Sequence, residues 1–230
     1  MNKKISYKLA GNEKDALIIH GLFALLCFII LILPIQIGAG VKLFILVLVY
    51  NIGMAGYGIM KKDDEWFGIW IFSLVLSMFQ VFPDWIIADI LKAIVFPQDG
   101  LFKIGLVSGY MAGLWAIPMF LIIFTCERIR ARISRPAAYM AAGIIAFLIF
   151  FVSEQTVWLI PSWYAVNVKM IGFSALYILV PEIILGIGTY RCYEEIKNRP
   201  HWMKIPAAFL VMLLYTGSVV FFYFLVERIF

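Results

Sequence analysis

The sequence predicts an all-α, polytopic membrane protein, a bundle of seven transmembrane helices with its N-terminus inside and its C-terminus outside. Three observations predict it. Of 230 residues, 64% are hydrophobic and 14% charged, where soluble domains run roughly 45–50% apolar and about 25% charged. Mean hydropathy is +0.97. Apolar runs occupy residues 16–34, 41–60, 66–82, 104–125, 136–153, 170–189 and 205–226. Each is near the length that a hydrocarbon core of ~30 Å requires, and lipid leaves no structure but a helix for it. Residues 1–230 therefore read as a single transmembrane domain.

The first run follows a stretch with four lysines and is longer than a signal-peptide core, so a retained helix is expected. Pro34 to Gly40 punctuate the chain before the second run. Lys61-Lys62-Asp63-Asp64-Glu65 separates the second from the third. This acidic cluster lacks the i+4 carboxylate of a diphosphate–magnesium motif and reads as a solvated loop. Asp84 to Phe96 is amphipathic and too short to span, which predicts an interfacial helix after the third span. The fourth run holds Gly113, Trp115 and Pro118. Pro118 is expected to kink the helix and free the Leu114 carbonyl. Arg128 to Pro136 precede the fifth run, which ends at Glu154-Gln155. Pro161-Ser162-Trp163 leads to the sixth, with Pro181-Glu182 about halfway along it, and Arg191 to Pro200 leads to the seventh.

Seven spans demand that basic residues sort between alternate loops. Fourteen Lys and Arg fall on the N-terminal side, and only Lys42, Lys92, Lys103, Lys169 and Arg228 on the other. The split predicts a cytoplasmic N-terminus in a multi-pass cell-membrane protein, a bacterial inner membrane being the expected location. The basic residues are scattered over short loops, so nucleic acid is not an expected partner. The lipid bilayer is, and a homo- or hetero-oligomer stays open. Cys27, Cys126 and Cys192 form no CxxC pair and have no His at metal spacing, so no metal site or disulfide is expected. No cofactor is expected either: the chain holds no GxxxxGK[ST], HExxH or GxSxG. It also has no lysine well inside a span for a retinal Schiff base.

Ionisable groups inside a membrane are costly and need an account. Glu182 is expected near the bilayer centre, beside a Pro181 that frees the Tyr177 carbonyl. Without a counter-charge it stays a neutral acid, able to donate a proton. A hydrogen-bonded structural acid, reaching Asn51 or His20 on other spans, is the other reading. Asp84, Asp89, Gln80, Ser108, Tyr110, Glu154 and Gln155 all fall in the outer half, where they share a pocket mouth or serve as solvated caps. Trp66, Trp70, Trp85, Trp158, Trp163 and Trp202 sit near span ends as interface anchors. Trp115 does not, and it lines a ligand cavity or packs. The candidate catalytic residues are Glu182, Glu154 and Asp84. The candidate substrate-binding residues are Trp115, Trp158, Trp163, Tyr110, Asn51 and Gln80.

Several of these residues fall into a pattern over about residues 84–190. Asp84-Trp85 precedes a loop ending Pro97-Gln98-Asp99-Gly100, and Gly113-x-Trp115-x-x-Pro118 follows. Glu154, Pro161-Ser162-Trp163-Tyr164 and Pro181-Glu182 come next. The pattern resembles the integral-membrane carotenoid-modifying superfamily of carotenoid hydratases and heterodimeric-type lycopene cyclases. Asp84-Trp85 stands where the hydratases have Glu-His, and the cyclases' Pro-x-Glu-Glu is not present, Pro181-Glu182 matching it only in part. The resemblance implies metal-independent acid chemistry on an apolar isoprenoid, in carotenoid biosynthesis. Protonation of a terminal double bond gives a tertiary carbocation that captures water or closes a ring. Glu182 would donate the proton, Glu154 and Asp84 would serve as acid/base partners, and Trp115, Trp158 and Trp163 would face the cation. The alternative is a non-enzymatic protein: a small-molecule transporter, a ligand-binding sensor or an accessory membrane subunit.

Overall fold

The computed structural model describes residues 11–33, 36–157, 159–160 and 162–230. Of the described residues 77% are helical, and the protein is an all-α membrane protein. Among the described residues six helices are long and apolar enough to cross a membrane: Gly11–Ile32, Ala39–Lys61, Asp64–Ile90, Met111–Arg132, Arg135–Val157 and His201–Ile229. The chain forms two compact units, residues 1–36 and 37–230. In the first, α1 (Gly11–Ile32) carries a side-chain bond from His20 Nδ1 to the Ala16 carbonyl at 2.8 Å.

In the second unit, α2 (Ala39–Lys61) ends on Lys62, whose φ of 51° turns the chain. Asp63 then caps α3 (Asp64–Trp85) by accepting the Trp66 N–H, and Glu65 in its first turn pairs with Arg128 at 2.6 Å. The acidic cluster thus has a structural task at a helix N-terminus, where side-chain acceptors satisfy orphan N–H groups. The expected interfacial helix over 84–96 does not form. Instead α3 runs on as a π-turn, Ile86–Ile90, and Lys92, with φ 54°, ends it. Two-residue strand β1 (Ile94–Val95) follows and pairs antiparallel with β4 (Tyr164–Ala165).

The fourth span also begins later than expected. Residues 103–108 form a hairpin, β2 (Lys103–Ile104) with β3 (Val107–Ser108), turned at Gly105 in the left-handed region. Glycine adopts that conformation without a Cβ penalty. One turn of helix, α4 (Met111–Leu114), then breaks at Trp115 before α5 (Ala116–Arg132). Helix α6 (Arg135–Val157) runs four residues past the expected end, so Glu154 lies within its last turn.

The sixth expected span, 170–189, is displaced by nine residues at its start. Residues 170–175 form a second hairpin, β5 (Met170–Ile171) with β6 (Ser174–Ala175), turned at Gly172. A 3-10 turn, Leu176–Ile178, leads into α7 (Leu179–Ile196). Pro181 accordingly sits in the first turn, where its missing N–H costs no helical bond and frees no carbonyl for a kink. Helix α7 extends to Ile196 because Arg191 pairs with Glu194 and Glu195 one turn on, at 3.7 and 2.7 Å. A 3-10 turn, His201–Met203, opens α8 (Lys204–Phe224), which continues as the π-turn Leu225–Ile229.

The helices of the second unit have two distinct ends. At one, Glu127 of α5 takes hydrogen bonds from Lys197 and Tyr190. Glu194 of α7 takes them from Tyr139 and Arg135 of α6, with Arg130 of α5 at 3.3 Å. The other end carries the three strand pairs. Between the ends α7 packs closely on α6. A Cβ at Gly186 would lie against the Ala146 methyl and 2.7 Å from the Ala142 carbonyl oxygen. Small residues at such a contact let helix backbones approach.

Candidate functional site

The hairpin end of the second unit encloses a cavity of about 310 Å³, within the size range of small-molecule sites. Its walls come from the end of α3, the α4–α5 break, the end of α6, the start of α7 and one turn of α8. The segment around β4 to β6 covers it. Among the described residues three carboxyl groups face it, Asp84, Glu154 and Glu182, and no Lys, Arg or His lines it.

Each acid arrives by its own local route. Asp84 is 4% exposed because α3 does not stop at the expected boundary but carries it inward. Its carboxylate accepts the Trp115 indole N–H at 3.0 Å. Glu154, in the last turn of α6, is hydrogen-bonded to Ser174, and its Oε2 has no partner among the described residues. Gln155 fixes Ser174 in turn: its amide donates to Ser174 Oγ at 2.9 Å and to the Ile171 carbonyl at 3.0 Å, and accepts the Phe173 N–H at 3.2 Å. Glu182 is 3% exposed, its Oε2 likewise unpartnered among the described residues. Glu154 is the neighbouring carboxyl group in the same cavity.

Aromatic rings complete the wall. Trp115 stands at the helix break, its ring 5.2 Å from Phe150 and 5.9 Å from Tyr215 between centroids. Tyr177 meets Tyr223 edge-on at 5.3 Å. Trp163 lines the cavity, and Tyr164 and Phe173, both half exposed, stand at its rim.

Of the candidates from sequence, Asp84, Glu154, Glu182, Trp115 and Trp163 meet at this cavity. Trp158 lies outside the described residues. Tyr110 does not line the cavity; it is buried and donates to the Ser162 carbonyl at 3.2 Å. Asn51 is not a partner of Glu182 but a helix clamp. Its amide donates to the Val47 carbonyl at 2.9 Å and the Gly113 carbonyl at 3.2 Å, and accepts the Trp70 indole N–H. Gln80 is buried on α3 outside the cavity wall. Tyr177, Ser174 and Tyr215 belong to the site without having been singled out. Tyr177 lies four residues before Pro181, a faint signal. Tyr215 sits in an unbroken apolar run and gave none.

The sequence profile of the family described as domain of unknown function DUF6989 matches residues 81–226. The chain belongs to the DUF6989 family. No curated protein and no solved structure matches it. The stretch shared with DUF6989 begins just before Asp84 and ends just beyond Tyr215, so it contains the whole cavity wall. Helices α1 and α2 fall outside it. The DUF6989 unit and the acid-lined cavity are therefore the same part of this protein.

Proposed function

We propose that the protein is an integral-membrane enzyme that performs acid-catalysed hydration or cyclisation of a lipid-soluble isoprenoid, of carotenoid type. One observation carries the reading: three carboxyl groups converge on an apolar, aromatic-walled cavity that no basic side chain among the described residues lines. An unpaired carboxylate is expensive away from water, so Glu182 carries its proton in the resting cavity. It donates that proton to a terminal C=C, whose π electrons form the new C–H bond and leave a tertiary carbocation. The faces of Trp115 and Trp163 stabilise that cation. Water then adds, or a neighbouring double bond closes a ring, and the proton released passes to the Asp84 carboxylate or back to the carboxylate that Glu182 has become, with Glu154 as the neighbouring acid. Asp84 is held for this by the Trp115 N–H. The cavity volume suits one end of an isoprenoid, with the remaining chain outside past Tyr164 and Phe173.

The membrane arrangement belongs to the same reading. Helix α7 spans ~27 Å at 1.5 Å per residue and serves as the seventh crossing, its charged end beside those of α5 and α6. Fourteen of the basic residues then face the cytoplasm with the N-terminus, and the cavity opens toward the outer leaflet. A transporter would need a polar route onward to the charged end. Below the cavity stand Phe72, Met119, Phe120 and Leu185, all 0% exposed, which favours the enzyme.

The test is turnover in nanodiscs, with acyclic carotenoid and geranylgeranyl-derived alkenes supplied in the lipid and products read by mass spectrometry. Glu182→Gln is expected to lose about 10²–10⁴-fold of the rate, the range a general acid supplies. Absence of product from every acyclic isoprenoid, or full activity in Glu182→Gln, overturns the assignment.

A further inference from the structure

Behind Asp84, one face of α3 is polar and sealed. Ser73, Ser77, Gln80 and Asp84 fall at i, i+4, i+7 and i+11, a single stripe of a helix. The first three are 0% exposed and Asp84 4%. The Gln80 amide has neither its oxygen nor its nitrogen partnered among the described residues, and Ser73 Oγ is unpartnered too. Native proteins pair such buried groups with protein or with ordered water.

A second observation comes from the element opposite. In an unbroken helix the Met111 carbonyl would accept the Trp115 N–H. At the α4–α5 break that N–H turns to the Gly113 carbonyl instead, and Ser77 Oγ reaches the Met111 oxygen only at 3.4 Å. Pro118 supplies no N–H to the Leu114 carbonyl. A broken helix inside a membrane is sustained where hydroxyls and ordered waters take up the freed carbonyls. The stripe and the break thus present donors and acceptors to each other across one seam. Toward the charged end, Trp66, Ile69 and Phe72, at most 1% exposed, close that seam.

We propose that this seam is an internal water site: water bound between Gln80, Ser77 and the freed carbonyls of the α4–α5 break, one helical turn behind Asp84. Its bound waters keep Asp84 in proton exchange when an apolar occupant fills the cavity in front. The site stands whether or not the cavity is catalytic. Its test needs no substrate: radiolysis of bound water labels the side chains beside it, in the full chain in nanodiscs. Met111 also lines the cavity, so labelling is read with the cavity filled by a saturated hydrocarbon supplied in the lipid; there Met111 of the wild type is expected to be oxidised several-fold faster than Met54, which is 1% exposed on α2.

Gln80→Leu removes the amide and is expected to lower Met111 labelling several-fold. It should also lower the melting temperature by about 2–4 °C, the shift that losing one hydrogen bond gives in a chain of this size. Met111 labelling unchanged in the variant, or a higher melting temperature, overturns the proposal, because a dry orphaned amide would be relieved by leucine. Should Gln80→Leu fail to fold, Gln80→Ala enlarges the site and is expected to keep Met111 labelling at or above the wild-type rate. A fall to the Met54 rate would overturn the water site equally.

Discussion

The contact between α6 and α7 sets how far apart Glu154 and Glu182 can stand, and Gly186 is its tightest point. Gly186→Ala adds a Cβ that meets the Ala146 methyl and lies 2.7 Å from the Ala142 carbonyl oxygen. One of those neighbours is a side chain, the other backbone, and neither can rotate away. The helices must part by several tenths of an ångström, and overpacking of this kind costs about 1–3 kcal/mol. In a chain of 230 residues each kcal/mol lowers the melting temperature by about 2–4 °C. Thermal unfolding in nanodiscs reads this directly. Ala146→Gly in the same chain removes the methyl contact but leaves the Ala142 carbonyl, so the double variant should recover part of the loss and not all of it. Glu182 lies one turn from Gly186 on the same helix, so turnover should fall with the melting temperature and recover in the same order. A Gly186→Ala protein as stable as the wild type, or one that Ala146→Gly does not help, refutes the packing argument.

Trp115→Phe keeps a ring against Phe150 and Tyr215 but removes the N–H that Asp84 accepts at 3.0 Å. The buried acceptor left behind costs about 1–3 kcal/mol, measured by the same unfolding assay, and turnover is expected to fall more than binding of an inert alkene. For topology, single cysteines at Lys62 and at Asn167, in a chain whose three native cysteines are replaced, should label from opposite faces of sealed vesicles. Labelling of both from one face would overturn the alternating arrangement.

The fold class was legible because lipid imposes it: apolar runs of spanning length admit one secondary structure. The boundaries were less legible, for a reason visible at residues 103–108 and 170–175. Both hairpins are as apolar as the helices beside them, so hydropathy merged them with spans four and six. The information that separates them was present only as Gly105 and Gly172, whose left-handed conformations turn the two hairpins. Misplacing the start of α7 put Glu182 mid-helix when it stands in the first turn. The acid was still singled out, and it lines the cavity, because an unpaired carboxyl in an apolar sequence is conspicuous wherever the helix begins. Asn51 and Gln80 were conspicuous on the same ground, yet neither lines the cavity: composition marks a buried polar group but not the direction it faces. Tyr215 shows the converse. It is a cavity residue that only the packing of α8 against α3 and α7 reveals.

Helix α7 ties these pieces together. Its charged second half keeps it from reading as an apolar span, yet it is pinned to α6 at both ends. Glu194 takes the Tyr139 and Arg135 bonds at one end, and Glu182 faces the same cavity as Glu154 at the other. That antiparallel pairing has two consequences that sequence treats as unrelated. It returns the chain to the charged end before α8, where Arg130 and Arg135 meet Glu194. It also brings the start of α7 to the end of α6 and the end of α3, where Asp84 sits. If α7 failed to run the length of α6, the ion pairs of the charged end and the three-carboxyl cavity would be lost together. The same structural step therefore produces the charged end and the site.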